Sequence, residues 1–303
     1  MSELHTLLDG RAFLEGPRWH DGALWVSDMH GHEVLRAETP ALVDSASSVS
    51  SGDGRQSHPP PAGTCTIVVA LDDAPSGLGW LPDDRMLIVS MGARRVLRLD
   101  GGAVVEHADC TGFAPHEIND MVVDRHGHAF VSQFGYDHHA GEKLRRAPVL
   151  RVDPDGSVHQ ATDALRMANG MVITADGGTL VVAESAGRRL LAFDLADDGA
   201  LSSERVWADL PEGDYPDGIC IDAEDAVWIS GPASDRFVRV REGGEVLDVV
   251  EVPGRHAIAC AIGGDDGHTL YLCTSPTQGE PEKSRETRGA KVETIRVDVP
   301  APV

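Results

Sequence analysis

The chain has 303 residues, of which 41% are hydrophobic and 25% charged, and it carries a formal net charge of −23. This is the balance of a globular protein, and the length suits either one large all-β domain or two ordinary ones. Such acidity argues against nucleic acid or an anionic membrane as a partner, because those interactions rest on Lys and Arg neutralising phosphates. No apolar run reaches the ~18 residues of a membrane span.

The opening "MSELHTLLDGRAF" has an early acidic residue and no basic segment leading into an apolar one, so a cytoplasmic location is expected. Cys65, Cys110, Cys220, Cys260 and Cys273 are odd in number and form no CxxC pair, which fits reduced thiols.

From Glu15 onward one pattern recurs six times: "EGPRWHDGALWVSD", "SGLGWLPDDRMLIVS" from Ser76, "NDMVVDRHGHAFVSQ" from Asn119, "NGMVITADGGTLVVAES" from Asn169, "DGICIDAEDAVWIS" from Asp217 and "ACAIGGDDGHTLYLCT" from Ala259. Each copy is a small or polar pair, a short apolar run, an Asp/Gly hairpin turn and a second β-rich run. Third runs follow in "EVLRA", "RVLRLD", "PVLRVD", "RLLAFD", "RFVRV" and "VETIRVD", and outer fourth strands are expected in "VVEHA", "SVHQA", "RVWADL" and "VLDVVEV". Between the first and second copies, residues 38–65 are rich in Ser, Gly and Pro and read as an insertion, either a surface loop or a lid.

A β-meander repeating at roughly 40–60 residues cannot bury both faces of its sheet alone, and radial packing supplies the missing cover. The expected fold is all-β: a single six-bladed propeller domain over residues 1–303, closed by pairing "KVETIRVDV" with "LHTLL".

In a propeller the first strand of each blade lines the central channel, so the residues that open those strands converge near the axis. These are Glu15, Ser76, Asn119, Asn169, Asp217 and the Ala259–Cys260 pair. Glu15, Asn119, Asn169 and Asp217 offer hard oxygen donors suited to one divalent cation, calcium before zinc or manganese. Without a cation, Glu15 and Asp217 would be like charges in a partly dry place, which raises a pKa. The alternative is that such residues simply start strands after turns.

The histidine pairs His30/His32, His126/His128 and His138/His139 read as solvated loop residues. His116 and His256 stand just before channel strands, as substrate contacts, proton shuttles or ordinary loop residues. No nucleophile elbow, P-loop or dinucleotide fingerprint occurs in a fitting context.

"LEGPRWHDGALWVSD", "NDMVVD", "RMANGMVITADGGTLVVAES" and "YPDGICIDAEDAVW" resemble the senescence marker protein, gluconolactonase and luciferin-regenerating enzyme family, to which regucalcin belongs. The resemblance implies a six-bladed propeller with one catalytic divalent metal held by Glu15, Asn119, Asn169 and Asp217, with Asp217 also the base. It further implies that Glu117 stands where aldonolactone-hydrolysing members carry an Arg, and that Tyr136 lies near the place of a further sugar contact. Gluconolactone is therefore in doubt as substrate. Phe134, Tyr136 and Met167 either favour a flatter or more apolar lactone or ester, or simply pack.

The function expected is metal-dependent hydrolysis of a small lactone or ester, by a monomer or small homo-oligomer. Organophosphate hydrolysis, a non-hydrolytic biosynthetic reaction and a non-catalytic binding propeller are the alternatives.

Overall fold

In the computed structural model, which describes residues 4–39, 64–137 and 140–302, each sequence copy becomes a four-stranded antiparallel sheet. Six such sheets form the blades: residues 14–70, 75–109, 118–160, 168–209 and 219–251, with the sixth built from 256–296 and completed by His5–Arg11. His5–Arg11 pairs antiparallel with Ala290–Arg296, so the two ends of the chain close the ring in one blade, as expected. The innermost strands, Leu14–His20, Pro75–Trp80, Ile118–Val123, Ala168–Ile173, Ile219–Ile221 and His256–Gly263, each lie against the next around the axis. All four expected outer strands form.

The insertion sits one step earlier than the repeat pattern suggested. Cys65–Ala70 pairs with Glu33–Ala37 as the outer strand of the first blade, so the Ser/Gly/Pro segment interrupts that blade rather than following it. Residues 40–63, and with them the question of a lid, lie outside the described residues, as do His138 and His139.

Aspartates fix the hairpin turns by taking up N–H groups that the bend leaves without strand partners. Asp124 accepts from His126 and His128 at 2.8 and 2.9 Å, Asp176 from Gly178 at 2.8 Å, and Asp222 from Glu224 and Ala226 at 2.9 and 3.2 Å. Much of the acidity is therefore structural. The apolar side chains of facing sheets meet between blades: Leu87, Val89, Met121, Val131 and Leu150 fill one such layer, and Leu24, Leu35, Tyr271 and Val292 another. Among the described residues the only α-helix, Pro281–Thr287, is short, and no helix is long and apolar enough to cross a membrane.

Near their starts five of the six inner strands shift register against their second strands, and neighbouring inner strands approach closely at that level. The Gly170 N–H reaches Asp217 O and the Gly218 N–H reaches Ile258 O, both at 3.1 Å. Serine hydroxyls of the second strands add ties across blades: Ser27 donates to Ser76 O at 2.7 Å and Ser230 to Ile258 O at 2.6 Å. A Cβ on Gly16 would stand 2.6 Å from Ser76 O, and one on Gly170 2.6 Å from Asp217 O and 2.7 Å from Ile219 N, so glycine there is a demand of space. Gly170→Ala should therefore cost at least about 2 kcal/mol and lower the melting temperature. Gly112→Ala, where a Cβ meets nothing within 4 Å, should leave it nearly unchanged in the same thermal scan.

Candidate functional site

At this level polar side chains of neighbouring blades meet. Ser76 Oγ donates to Asn119 Oδ1 at 3.2 Å, Asn119 Nδ2 donates to Asn169 Oδ1 at 2.9 Å, and Asn169 Nδ2 donates to Asp217 Oδ1. Four blades are thus linked by a run of hydrogen bonds that ends on a carboxylate. Glu15 comes from the first blade, its Oε2 accepting the Gly16 N–H at 2.9 Å. Glu15, Ser76, Asn119 and Asn169 are buried and Asp217 is partly so.

The sixth place differs from the expectation. The strand irregularity falls between Ala257 and Ala259, and the carbonyl reached by Gly218 is that of Ile258, so Ile258 rather than the Ala259–Cys260 pair occupies it. That place therefore brings a buried apolar side chain and no side-chain oxygen. Cys260 lies deeper, its sulfur 3.5 Å from that of Cys220, with both thiols free.

Electrostatics at the ring follow from burial and like charge. Burial pushes Glu15 well above the usual carboxylate range, the charges of Asp217 and then Asp120 push it further, and the Gly16 N–H and Arg18 oppose them. Asp217 is raised to about 7, again chiefly by burial, with the Asn169 hydrogen bond pulling down and Asp120 pushing up. Sequence reasoning missed Asp120 and Arg18. Asp120 is buried beside Asn119 but faces Arg18, whose Nη2 meets its Oδ1 at 2.8 Å and Met121 O at 2.7 Å. The one signal for this pair is an arginine three residues past Glu15 in a channel strand, where buried carboxylates need a counter-charge within reach.

The ring suits a hard cation by its donor chemistry: two carboxylates, two amide oxygens and a hydroxyl, with no thiolate or imidazole among them. Among the described residues no three His, Cys, Asp or Glu side chains gather as a metal cluster, so any cation here would depend on the amides as much as on Glu15 and Asp217.

The other candidates have partners of their own. His116 Nε2 lies 3.8 Å from Glu142, and His256 Nδ1 is 2.8 Å from Pro232 O and 3.2 Å from Asp235. Glu117 accepts the Phe134 N–H through its backbone carbonyl at 3.3 Å. Tyr136 is buried, its hydroxyl 3.5 Å from Met167 Sδ. His126 and His128 are bound to turn carboxylates, as loop residues would be, whereas His30 is buried against Phe13 with ring centroids 4.8 Å apart, contrary to the expectation of a solvated side chain. At the far ends of the first two inner strands, cavities of about 550 and 390 Å³ share His20, Trp80 and Asp84 and include no ring residue.

A six-bladed propeller whose axis gathers oxygen donors from successive blades defines the class. The chain belongs to the SMP-30/gluconolactonase/LRE-like family, whose model matches residues 13–276. It is 27% identical over 223 residues to the pentonolactonase of Haloferax volcanii, covering 72% of this chain and 74% of that one. With the regucalcin of Xenopus laevis it shares 24% identity over 290 residues, 93% of this chain and 89% of the other. The crystal structure of a calcium-binding protein, regucalcin from Agrobacterium tumefaciens, superposes with a TM-score of 0.73 at 19% identity, covering 100% of this chain and 98% of that one, a likeness of fold.

The raised carboxyls have a thermodynamic consequence. A carboxyl whose pKa is higher in the folded than in the unfolded chain binds its proton more tightly when folded. Its contribution is therefore fully present below about pH 4 and is lost as pH rises through about 7. In chelator, the melting temperature of Asp217→Asn minus that of wild type should grow between pH 5 and pH 8. Added calcium should narrow that difference at pH 8 and act little at pH 5, where protons compete for the same oxygens. Thermal scans across this range read both effects.

Proposed function

We propose that the chain is a divalent-cation-dependent hydrolase of a small lactone or related carboxylic ester, with calcium the first choice of ion and manganese or zinc the others. The observation that carries this reading is the hydrogen-bonded run Ser76–Asn119–Asn169–Asp217 across four blades, with the buried Glu15 carboxyl of a fifth blade feeling the charge of Asp217. Family membership and likeness to a pentonolactonase support the ester chemistry.

A cation held by Glu15, Asn119, Asn169 and Asp217 supplies Lewis-acid polarisation of an ester carbonyl and offsets the charge that develops on its oxygen. Asn119 and Asn169 fix the direction of the Asp217 carboxyl, since Asn169 occupies one of its oxygens and Asn119 holds Asn169 in turn. The remaining carboxylate oxygen accepts a proton from water as that water attacks the acyl carbon. The same proton passes to the departing alkoxide, so a lactone leaves as its hydroxy acid. Burial raises the Asp217 carboxyl in the cation-free ring, and a bound cation would pull it down again, leaving it ionised and able to accept a proton at working pH. Arg18 and Asp120, paired below the ring, balance charge without touching the substrate. The six blades form one domain in this reading, and the cytoplasm is its place of action.

Asp217→Asn should lower kcat by about 10²–10⁴-fold with the fold intact. Asn169→Ala should chiefly weaken cation affinity, read by calorimetric titration with calcium. Full activity of Asp217→Asn, or activity undiminished after exhaustive chelation, would overturn the mechanism.

A further inference from the structure

Two backbone positions recur at the mouth, just beyond the ring. In four blades the residue after the second strand donates its N–H to the carbonyl two residues before the ring position. These bonds run from Met29 to Phe13, Met91 to Ala74, Phe134 to Glu117 and Ser185 to Met167, at 2.8, 3.0, 3.3 and 3.0 Å. The repeat therefore places Met29, Met91, Phe134 and Met167 at one level on the same end of the channel as the oxygen donors.

These side chains belong to one contiguous apolar cluster that also holds Tyr136, and it crosses from the first blade at Met29 to the fourth at Met167. Met91, Phe134 and Tyr136 are buried within this arc, while Met29 and Met167 at its two ends are partly exposed. The facing arc carries Ser185, His256 with Asp235, and Asp214 with Arg236 at 2.7 Å, beside the exposed Tyr215. Asp217, the base, stands beneath that second arc. Met167 has a further peculiarity, a backbone φ of 62°, a region that long unbranched residues rarely adopt, and two hydrogen bonds from Ser185 and Ala186 hold that turn in place.

We propose that this methionine-rich arc is a subsite for an apolar alkyl substituent, so that the substrate class is an alkyl-substituted lactone or ester rather than a polyhydroxylated sugar lactone. This rests on the hydrolase reading and adds specificity to it. Three thioether side chains conform to an alkyl chain of variable length better than branched residues do, because methionine has three rotatable bonds and a polarisable sulfur. Glu117 and the Tyr136 hydroxyl are the polar groups at this level, and against the rest of the arc a hydroxyl would be desolvated without a replacement hydrogen bond, which is unfavourable. The division of the mouth sets the acyl carbon over the ring, the alkyl group toward Met29 and Met167, and water toward Asp217.

The test is a series of γ-lactones, unsubstituted through hexyl-substituted, alongside a sugar γ-lactone, with calcium present. kcat/KM should rise about three- to fourfold for each methylene buried and should favour every alkyl lactone over the sugar lactone. The double variant Met29→Gln, Met167→Gln, at two partly exposed positions, should flatten that dependence on chain length. Binding of the corresponding γ-alkyl lactams, which resist hydrolysis, should tighten with chain length in calorimetry and lose that trend in the double variant. Preference for the sugar lactone, or lactam affinity indifferent to chain length, would overturn the subsite while leaving the hydrolase reading standing. Lactam affinity that tracks chain length, without turnover of any lactone, would uphold the subsite and overturn the hydrolase.

Discussion

Close approach of the inner strands at their bulges is the constraint on which the rest of this structure depends. Six sheets can close around an axis only if the first strands of neighbouring blades meet there, and at the bulge they come so near that Gly16 and Gly170 have no room for a Cβ. Backbone groups at that crowded level are satisfied by the neighbouring blade, through Gly170 to Asp217 O and Gly218 to Ile258 O. Glu15 and Asn169, which precede these glycines, are buried at that level. The requirement that closes the fold thus also assembles the ring, and a donor from any blade reaches the centre without a loop to carry it.

Convergence has an electrostatic cost. Glu15 and Asp217 share a poorly solvated space with Asp120 close by, and their pKa values rise accordingly. The fold answers in part with Arg18, which sits against Asp120 rather than against the ring carboxylates. A cation is the remaining way to offset the charge on the ring itself, and amide oxygens beside carboxylates are the donors that a hard ion accepts. Stability, ion binding and the readiness of Asp217 to take a proton are in this view one property, set by burial at the axis.

Much of this was legible in the sequence because the repeat was. Six copies of a meander, each punctuated by Asp and Gly, dictate six blades, and alignment of the copies brings Glu15, Asn119, Asn169 and Asp217 to equivalent places; the structure joins Asn119, Asn169 and Asp217 by hydrogen bonds. Where the repeat loosens, the reading slips. The last copy carries its bulge one residue earlier than its "AC" pair suggests, since no glycine marks the place, and Ile258 enters the ring position. The insertion hides the outer strand of the first blade, because Cys65–Ala70 resumes only after a long polar segment. His30 looks like a loop residue by composition but packs, tilted, against Phe13, a contact that spacing along the chain does not reveal. Arg18 and Asp120, distant in sequence, were likewise invisible as a pair.

The most direct measurement is anomalous diffraction from crystals soaked with manganese, a scatterer that accepts the same oxygen donors as calcium. The account predicts a single strong peak on the propeller axis, within about 2.0–2.6 Å of oxygens from Glu15, Asn169 and Asp217, with Asn119 adjoining. A peak elsewhere, or none at saturating manganese with these side chains ordered, would contradict it.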